Sequence, residues 1–341
     1  MQLIDSLYAV VARQRRRWYE ATPTRRRRLK QPVVSIGSLS VGGSGKTPVA
    51  AFVATLLRDA GERPAILSRG YGRQKAVDGV TVVRDVDGIL ADIEQAGDEP
   101  MMLAHALDRV VVAVSSERYL AGHFAEARLG ATVHVLDDGF QHVQLERDVD
   151  ILVMQAGELD GQSTLPSGRL REPLGVAVRA HALLISGATR SEAEVAGARL
   201  GVSTVFEFTR RLAGPVDIDP SKPRVPLTSE TRVLCVAGIA QPERFFEDVR
   251  ATGVTVVCEL RYSDHHPFSV DDIRDIERKV NTTRVDLVLT TEKDLVRLRQ
   301  YQPLPFTVAA LPLFVEMVSE STFRSWLLAR VESARRERLR G

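Results

Sequence analysis

Residues 37–47 read Gly37-Ser38-Leu39-Ser40-Val41-Gly42-Gly43-Ser44-Gly45-Lys46-Thr47, and an apolar run, Val33-Val34-Ser35-Ile36, leads directly into them. Behind them Val49, Phe52, Val53, Leu56 and Leu57 recur at helical spacing. A strand, a glycine-rich loop, Gly-Lys-Thr and a helix in that order commit this part of the chain to an α/β unit with a phosphate-binding loop. Small residues let backbone N–H groups converge on phosphate oxygens, and the helix adds the positive end of its dipole. The expected nucleotide site is Ser40, Val41, Gly42, Gly43, Ser44, Gly45, Lys46 and Thr47. Lys46 would reach the β- and γ-phosphates and the Thr47 hydroxyl would face Mg2+. Pro48 is tolerated because a first-turn N–H has no helical partner. The general pattern has Gly where this chain has Ser40. An ordinary glycine-rich turn is the plain alternative, and the flanking pattern on both sides argues against it.

Apolar runs with strand character recur along the chain with helical patterns between them. They are Val33–Ile36, Ala65–Leu67, Val110–Val114, Val133–Leu136, Ile151–Met154 and Leu183–Ile185, then Val233–Val236, Val254–Cys258 and Val285–Leu289. This alternation predicts a mostly parallel sheet with helices on both faces, a P-loop NTPase-like α/β fold. A length of 341 residues suggests about two domains. A proline-containing stretch with Pro215, Pro220, Pro223 and Pro226 marks a change. We therefore expect an N-terminal helix over 1–20, a core domain over 21–205, a linker over 206–230 and a smaller α/β domain over 231–341. Cys235 and Cys258 fall on apolar strand positions, and no Cys or His spacing suggests zinc or an oxidising compartment.

The net charge of +2 hides an asymmetry: residues 1–30 hold eight Arg and one Lys against Asp5 and Glu20. Within that segment Leu3, Ile4, Leu7, Tyr8, Val10 and Val11 recur at helical spacing, followed by Arg13, Arg15, Arg16, Arg17 and Trp18-Tyr19. No run approaches the roughly 20 apolar residues that span a bilayer, and no signal-peptide pattern is present. The segment fits a helix lying on an anionic membrane surface. A helix packed on the body and a nucleic-acid-binding arm are the alternatives. The C-terminal Arg335-Arg336-Glu337-Arg338-Leu339-Arg340 reads as a solvated or frayed helix end.

The second nucleotide signal is Val133-His134-Val135-Leu136-Asp137-Asp138-Gly139-Phe140-Gln141-His142. Acidic residues at a strand's C-terminal end are the form of a Mg2+-holding strand, and ligands bind at those ends in open α/β sheets. Other candidates are weaker singly. Ser68-Arg69-Gly70-Tyr71-Gly72 follows the second strand, where Arg69 and Tyr71 could meet phosphate or sugar. Asp98, in Gly97-Asp98-Glu99-Pro100, is a general base or a helix cap. Arg171, in Leu170-Arg171-Glu172-Pro173, meets an anionic acceptor or a neighbouring acid. Asp264-His265-His266 lies between a strand and a helix. Thr291 with Asp294 is by default a helix cap.

Taken together, these segments resemble the tetraacyldisaccharide 4′-kinases, the lipid A 4′-kinases of Gram-negative bacteria. The carrying residues are Val41–Pro48, Ser68–Gly72, Gly97–Pro100, Asp137–His142, Leu170–Pro173, Asp264-His265 with Phe268, and Thr291–Asp294. They span about residues 1–295 in the family's order, and Ser40 is what that family leads one to expect.

The resemblance implies transfer of the ATP γ-phosphate to the 4′-hydroxyl of a tetraacyl glucosamine disaccharide 1-phosphate. It implies Asp98 as catalytic carboxylate with His265 as partner, Asp137 and Asp138 as Mg2+ positions, and a membrane-associating helix at residues 1–20. Gln141, His142, Arg69, Tyr71 and Arg171 stand as candidate substrate contacts. ATP and Mg2+ are the implied donor and metal, on the cytoplasmic face of the inner membrane, with no nucleic acid and no obligate protein partner expected. A membrane-recruited nucleotide switch and a kinase of water-soluble acceptors are the competing readings.

Overall fold

The computed structural model describes the chain except residues 1, 44, 76–77, 160–162, 220–224 and 341, and the side chains of 2–4 and 23. In chain order the larger domain begins with α1 (Gln2–Glu20), β1 (Val33–Gly37), α2 (Lys46–Asp59), β2 (Pro64–Ser68) and β3 (Thr81–Arg84). It continues with α3 (Ile93–Ala96), α4 (Asp98–Ala106), β4 (Val111–Val114), α5 (Arg118–Leu129), β5 (Val133–Asp137) and β6 (Val149–Gln155). Next come β7 (Ala182–Ser186), α6 (Arg190–Leu200) and β8 (Val205–Leu212). The smaller domain holds β9 (Val216–Asp217), β10 (Arg232–Ala237), α7 (Pro242–Ala251), β11 (Thr255–Arg261) and α8 (Val270–Thr283). It ends with β12 (Leu287–Thr290), α9 (Glu292–Leu298) and β13 (Val308–Ala310), after which come β14 (Leu313–Met317) and α10 (Glu320–Arg340).

Nine strands form one sheet in the order β14-β8-β7-β6-β1-β5-β2-β4-β3. β1 lies at its centre, parallel to β5 and β6. Its central strands are buried along their whole length, as a parallel sheet covered on both faces requires. One face is covered by α2, α4 and α10 through Val49, Val53, Leu103, Phe323 and Leu327. The other is covered by α5 and α6 in two clusters, around Ala121 and Leu67 and around Ala196 and Leu183. The second sheet has the order β11-β10-β12-β13-β9, with β9 antiparallel. Phe245, Phe246 and Val249 of α7 cover one face; Ile273, Ile276, Leu295 and Leu298 of α8 and α9 cover the other.

Strand pairing corrects the expected domain limits at two places. The stretch read as a linker from 206 begins inside β8, whose first four residues are buried in the large sheet beside β7. Residues 313–340, expected in the smaller domain, return to the larger one. β14 pairs antiparallel with β8, and Phe323, Leu327 and Val331 of α10 lie in the main core. The physical reason is burial: β8 has an unpaired edge that β14 closes, and the apolar stripe of α10 finds its cover only on the large sheet.

The C-terminal arginines are likewise ordered. Arg335 Nη2 donates to both oxygens of Glu62 at 2.8 Å, and Arg338 pairs with Asp148 at 2.7 Å. Of the two cysteines, Cys235 is buried and Cys258 half-buried. Among the described residues no helix is long and apolar enough to cross a membrane.

Candidate active site

The carboxyl ends of β1, β2, β5 and β6 share one edge of the large sheet, and the phosphate-loop residues gather there. The turn out of β1 is close-packed: a Cβ on Gly37 would meet Phe140 Cβ at 2.5 Å. Gly42 has φ +107°, a conformation L side chains rarely adopt, and a Cβ there would also push aside the Arg169 guanidinium, 2.3 Å away. Ser40 is buried, with its hydroxyl 3.3 Å from Glu158 Oε1, and it lies outside the left-handed region. That is why the loop tolerates Ser where the general pattern has Gly.

One expected nucleotide contact, the Val41 amide, is engaged within the protein. The Val41 N–H donates to the Arg169 carbonyl at 2.8 Å, and Ser40 bridges antiparallel to Leu170. The first half of the loop is therefore tied to the 169–171 segment, which occupies the Val41 amide. Ser44, another expected contact, lies outside the described residues. Gly43 O accepts from Gln155 Nε2 at 2.8 Å, and Gln155 Oε1 accepts from Arg244 of α7 at 3.0 Å. The smaller domain thus reaches the tip of the loop.

Lys46 Nζ lies 3.1 Å from Ser38 Oγ and 3.7 Å from Asp138 Oδ1. Burial lowers its pKa, with Asp138 pulling the other way. The Thr47 hydroxyl donates to Asp137 Oδ2 at 3.1 Å. Burial, then Asp138 and Glu99, pushes the Asp137 carboxyl up to about 7. Asp138 behaves oppositely: burial opposes its charge, but Lys46 and Arg171 hold it below the usual carboxylate range. Arg171 Nη1 donates to Asp138 Oδ2 at 2.6 Å. Asp138 Oδ1, although buried, has no hydrogen-bond partner.

A second cluster joins the two domains. Asp98 opens α4, and its Oδ2 lies 2.7 Å from His265 Nδ1, 167 residues away. Arg297 of α9 also donates to Asp98 Oδ2. Burial opposes the Asp98 charge, but the hydrogen bonds from His265 and Arg297 hold its pKa well below the usual carboxylate range. Next to this pair Lys293 meets Glu99. The Tyr71 ring stands edge-on to His265 at 5.5 Å, largely exposed.

The neighbouring His266 is engaged elsewhere, stacked on Tyr262 at 4.6 Å and bonded to Asp272 at 3.1 Å. Thr291 caps α9 as expected, but Asp294 does more than close the cap: it is fully buried and binds Gly238 and Arg297.

The remaining candidates are placed less directly. Gln141 Nε2 donates to Ser38 O at 3.0 Å and to Glu172 at 3.3 Å, so its amide braces the start of the loop. His142 is pushed down to about 3 by burial and by Arg118 and Arg147. Arg69 is exposed, and its charge adds to that of Arg118 in depressing His142. Arg118 itself is buried at the start of α5, where burial lowers its pKa to about 10 while Asp138 and Asp137 attract it.

Arg297, Glu172 and Arg169 were not picked out from the sequence as site residues in their own right. The nearest signal for Arg297 is its position three residues after Asp294 on a short helix. Nothing in the sequence points from there to Asp98, 199 residues away.

A phosphate loop whose Thr meets a strand-end Asp, on a parallel sheet, with a carboxylate–histidine pair at the domain junction, defines a P-loop kinase. A family model described as tetraacyldisaccharide-1-P 4′-kinase matches residues 1–332. A tetraacyldisaccharide 4′-kinase of Geobacter metallireducens is 37% identical over 85% of this chain and 86% of its own length. One of Rhodopseudomonas palustris is 38% identical over 92% and 88%. The crystal structure of LpxK from Aquifex aeolicus in complex with ATP matches with a TM-score of 0.78 at 31% identity, covering 97% of this chain and 98% of that one. The chain belongs to the tetraacyldisaccharide-1-P 4′-kinase family, and with it to the ATP-dependent phosphotransferases of lipid A biosynthesis.

Proposed function

We propose that Asp98 accepts the proton of the disaccharide 4′-hydroxyl as that oxygen attacks the γ-phosphorus of ATP. The new bond forms between the 4′-oxygen and phosphorus, the bond to the β,γ-bridging oxygen breaks, and ADP leaves. Such a transfer is mostly positioning and charge stabilisation. Lys46 and the amides of Gly42–Thr47 neutralise and hold the β- and γ-phosphates. His265 orients Asp98 through the 2.7 Å contact. That contact carries the reading: a base built from both domains is complete only while the two are brought together, which also excludes water.

The donor set fits Mg2+. A buried Asp138 oxygen that accepts no hydrogen bond, with Lys46 3.7 Å away, and a buried Asp137 carboxyl raised by burial and by Asp138 and Glu99 both favour a cation. Mg2+ takes one or two protein carboxylates and keeps its waters; Thr47 with Asp137 or Asp138 would hold it, and it would supply positive charge to neutralise the phosphates.

We also assign α1 to the membrane surface. Leu7, Tyr8, Val10, Val11 and Trp18 are exposed along it, beside Arg13, Arg15 and Arg17. An acyl disaccharide is held in the bilayer by about 0.8 kcal/mol per buried CH2, so the active site must come to it. Basic residues near an anionic surface each add about 1 kcal/mol.

The test is transfer from γ-labelled ATP to tetraacyl disaccharide 1-phosphate in mixed micelles, with Lys46→Ala as control. Mg2+-dependent labelled lipid, absent in the control, is expected. Nucleotide hydrolysis without labelled lipid would overturn the reading in favour of a membrane-recruited switch.

A further inference from the structure

Arg297 is only 4% exposed, and its guanidinium bonds in two directions. Nη1 donates to the Gly238 carbonyl at 2.9 Å and to Asp294 Oδ1 at 2.8 Å. Nη2 donates to Asp98 Oδ2 and lies 3.4 Å from His265 Nδ1. Asp294 is held in turn by the Gly238 N–H at 3.0 Å and the Thr291 hydroxyl at 2.7 Å. The cation is therefore fixed to the end of β10 before it meets the carboxylate of the other domain.

The donors that reach Asp98 converge on one oxygen. His265 Nδ1 and Arg297 Nη2 both lie on Oδ2, and among the described residues Oδ1 has no hydrogen-bond partner. We propose that Arg297 is a positioning residue for the acceptor side of the reaction: it saturates Oδ2 from the smaller domain and so presents Oδ1 to the attacking hydroxyl. This rests on the reading of Asp98 as the base. A planar guanidinium suits the task because its two nitrogens bond two sites at a fixed angle, which a lysine point charge does not do.

The groups around Asp98 are His265, with Asp264 3.8 Å from its Nε2, Arg297 backed by Asp294, and Glu99 paired with Lys293. A cation on the base makes it a weaker proton acceptor, so what Arg297 supplies is geometry. A misplacement of about 1 Å costs on the order of 100-fold in rate.

The experiment compares full-length wild type, Arg297→Gln, Arg297→Lys, the double variant Asp294→Asn/Arg297→Gln, and Asp98→Ala. Turnover is measured with Mg-ATP and acyl disaccharide micelles across pH, alongside ATP binding and thermal unfolding. Arg297→Gln is expected to lose about 10- to 100-fold in kcat. Its ATP affinity should change less than about twofold, and the acid limb of kcat/KM should move to higher pH. Arg297→Lys recovers only part of the rate. The double variant leaves no unpaired buried charge, so it should unfold cooperatively and show the same loss.

Wild-type kcat and an unmoved acid limb in both Gln variants, with Asp98→Ala inactive, would overturn the role of Arg297 and leave the base intact. Turnover retained in Asp98→Ala would remove the base and this inference together. A rate loss matched by lost ATP binding or lost cooperative unfolding in both Gln variants would reduce Arg297 to a structural residue.

Discussion

Arg16 and Glu172, 156 residues apart, form a two-pronged ion pair at 2.9 and 2.7 Å. Both side chains are nearly out of solvent, at 5% and 6% exposure. The same guanidinium donates to Phe140 O at 2.8 Å and lies 4.7 Å over the Phe140 ring. One arginine of a basic run is thus an internal bolt. It fixes α1 to the segment that follows Asp137 and Asp138, and turns the exposed apolar residues of α1 outward.

Glu172→Ala leaves Arg16 buried without its partner, a change that typically costs about 3–5 kcal/mol. Denaturant unfolding should register most of that loss, and limited proteolysis should show residues 1–20 released. Arg17→Ala, on the exposed side, should change stability by less than about 0.5 kcal/mol. Equal effects from the two substitutions would refute the docking role of Arg16.

Asp98→Ala and His265→Ala should each reduce turnover, the first by about 100- to 10,000-fold, the range of general-base contributions. ATP binding, followed by equilibrium titration, should stay near wild type in both, because neither side chain touches the phosphate loop. Lys46→Ala should instead weaken phosphate binding and turnover together. Normal turnover in both Asp98→Ala and His265→Ala would show that the base lies elsewhere.

Asp137 makes the Mg2+-free protein sensitive to pH. Its carboxyl is raised from 3.8 to about 7 by burial, Asp138 and Glu99. Between those values the unfolded chain has released the proton and the folded protein still holds it. Stability therefore falls as pH rises through this window and levels off above about 7. Asp137→Asn should remove that slope, gaining on the order of 1 kcal/mol or more over wild type at pH 8 relative to pH 5. Mg2+ binding should release a proton below pH 7, detectable by calorimetry in buffers of different ionisation enthalpy. A flat difference between the two proteins across pH would refute the assignment.

The C-terminal helix should matter to the core. Arg338 pairs with Asp148 and also bonds Leu29 O, while Asp148 Oδ2 accepts the Val33 N–H at 2.7 Å. Asp148 thereby holds the start of β1, and Arg338 neutralises it with only 4% of its own surface exposed. Arg338→Ala is expected to cost about 2–4 kcal/mol in chemical unfolding, as for a buried pair broken on one side. Arg340→Ala should be nearly silent.

The strands of the large sheet were legible because burial on both faces forces continuous apolar runs such as Val33–Ile36 and Val133–Leu136. The phosphate loop was legible because its chemistry is local: the glycines, Lys46 and Thr47 lie in one turn. β3 and β14 were not expected, since each is a short edge strand without a continuous buried run: β3 is mostly half-buried and β14 alternates in exposure. The C-terminal arginines read as solvent-facing because charge alone does not reveal a partner such as Glu62 or Asp148.

Local patterning therefore determined the α/β architecture, the nucleotide loop, the acidic strand end and the amphipathic first helix. Each depends on residues within a turn or two of one another, whose spacing itself records burial and backbone direction. The tertiary structure alone decided that α10 closes the large domain, that Arg16 is buried while Arg17 is not, and that Arg297 joins the Asp98–His265 pair the resemblance implied. Those choices rest on contacts between residues more than a hundred positions apart. Among many equivalent arginines and carboxylates, only the packing of the two sheets selects the pairs that are brought together and desolvated.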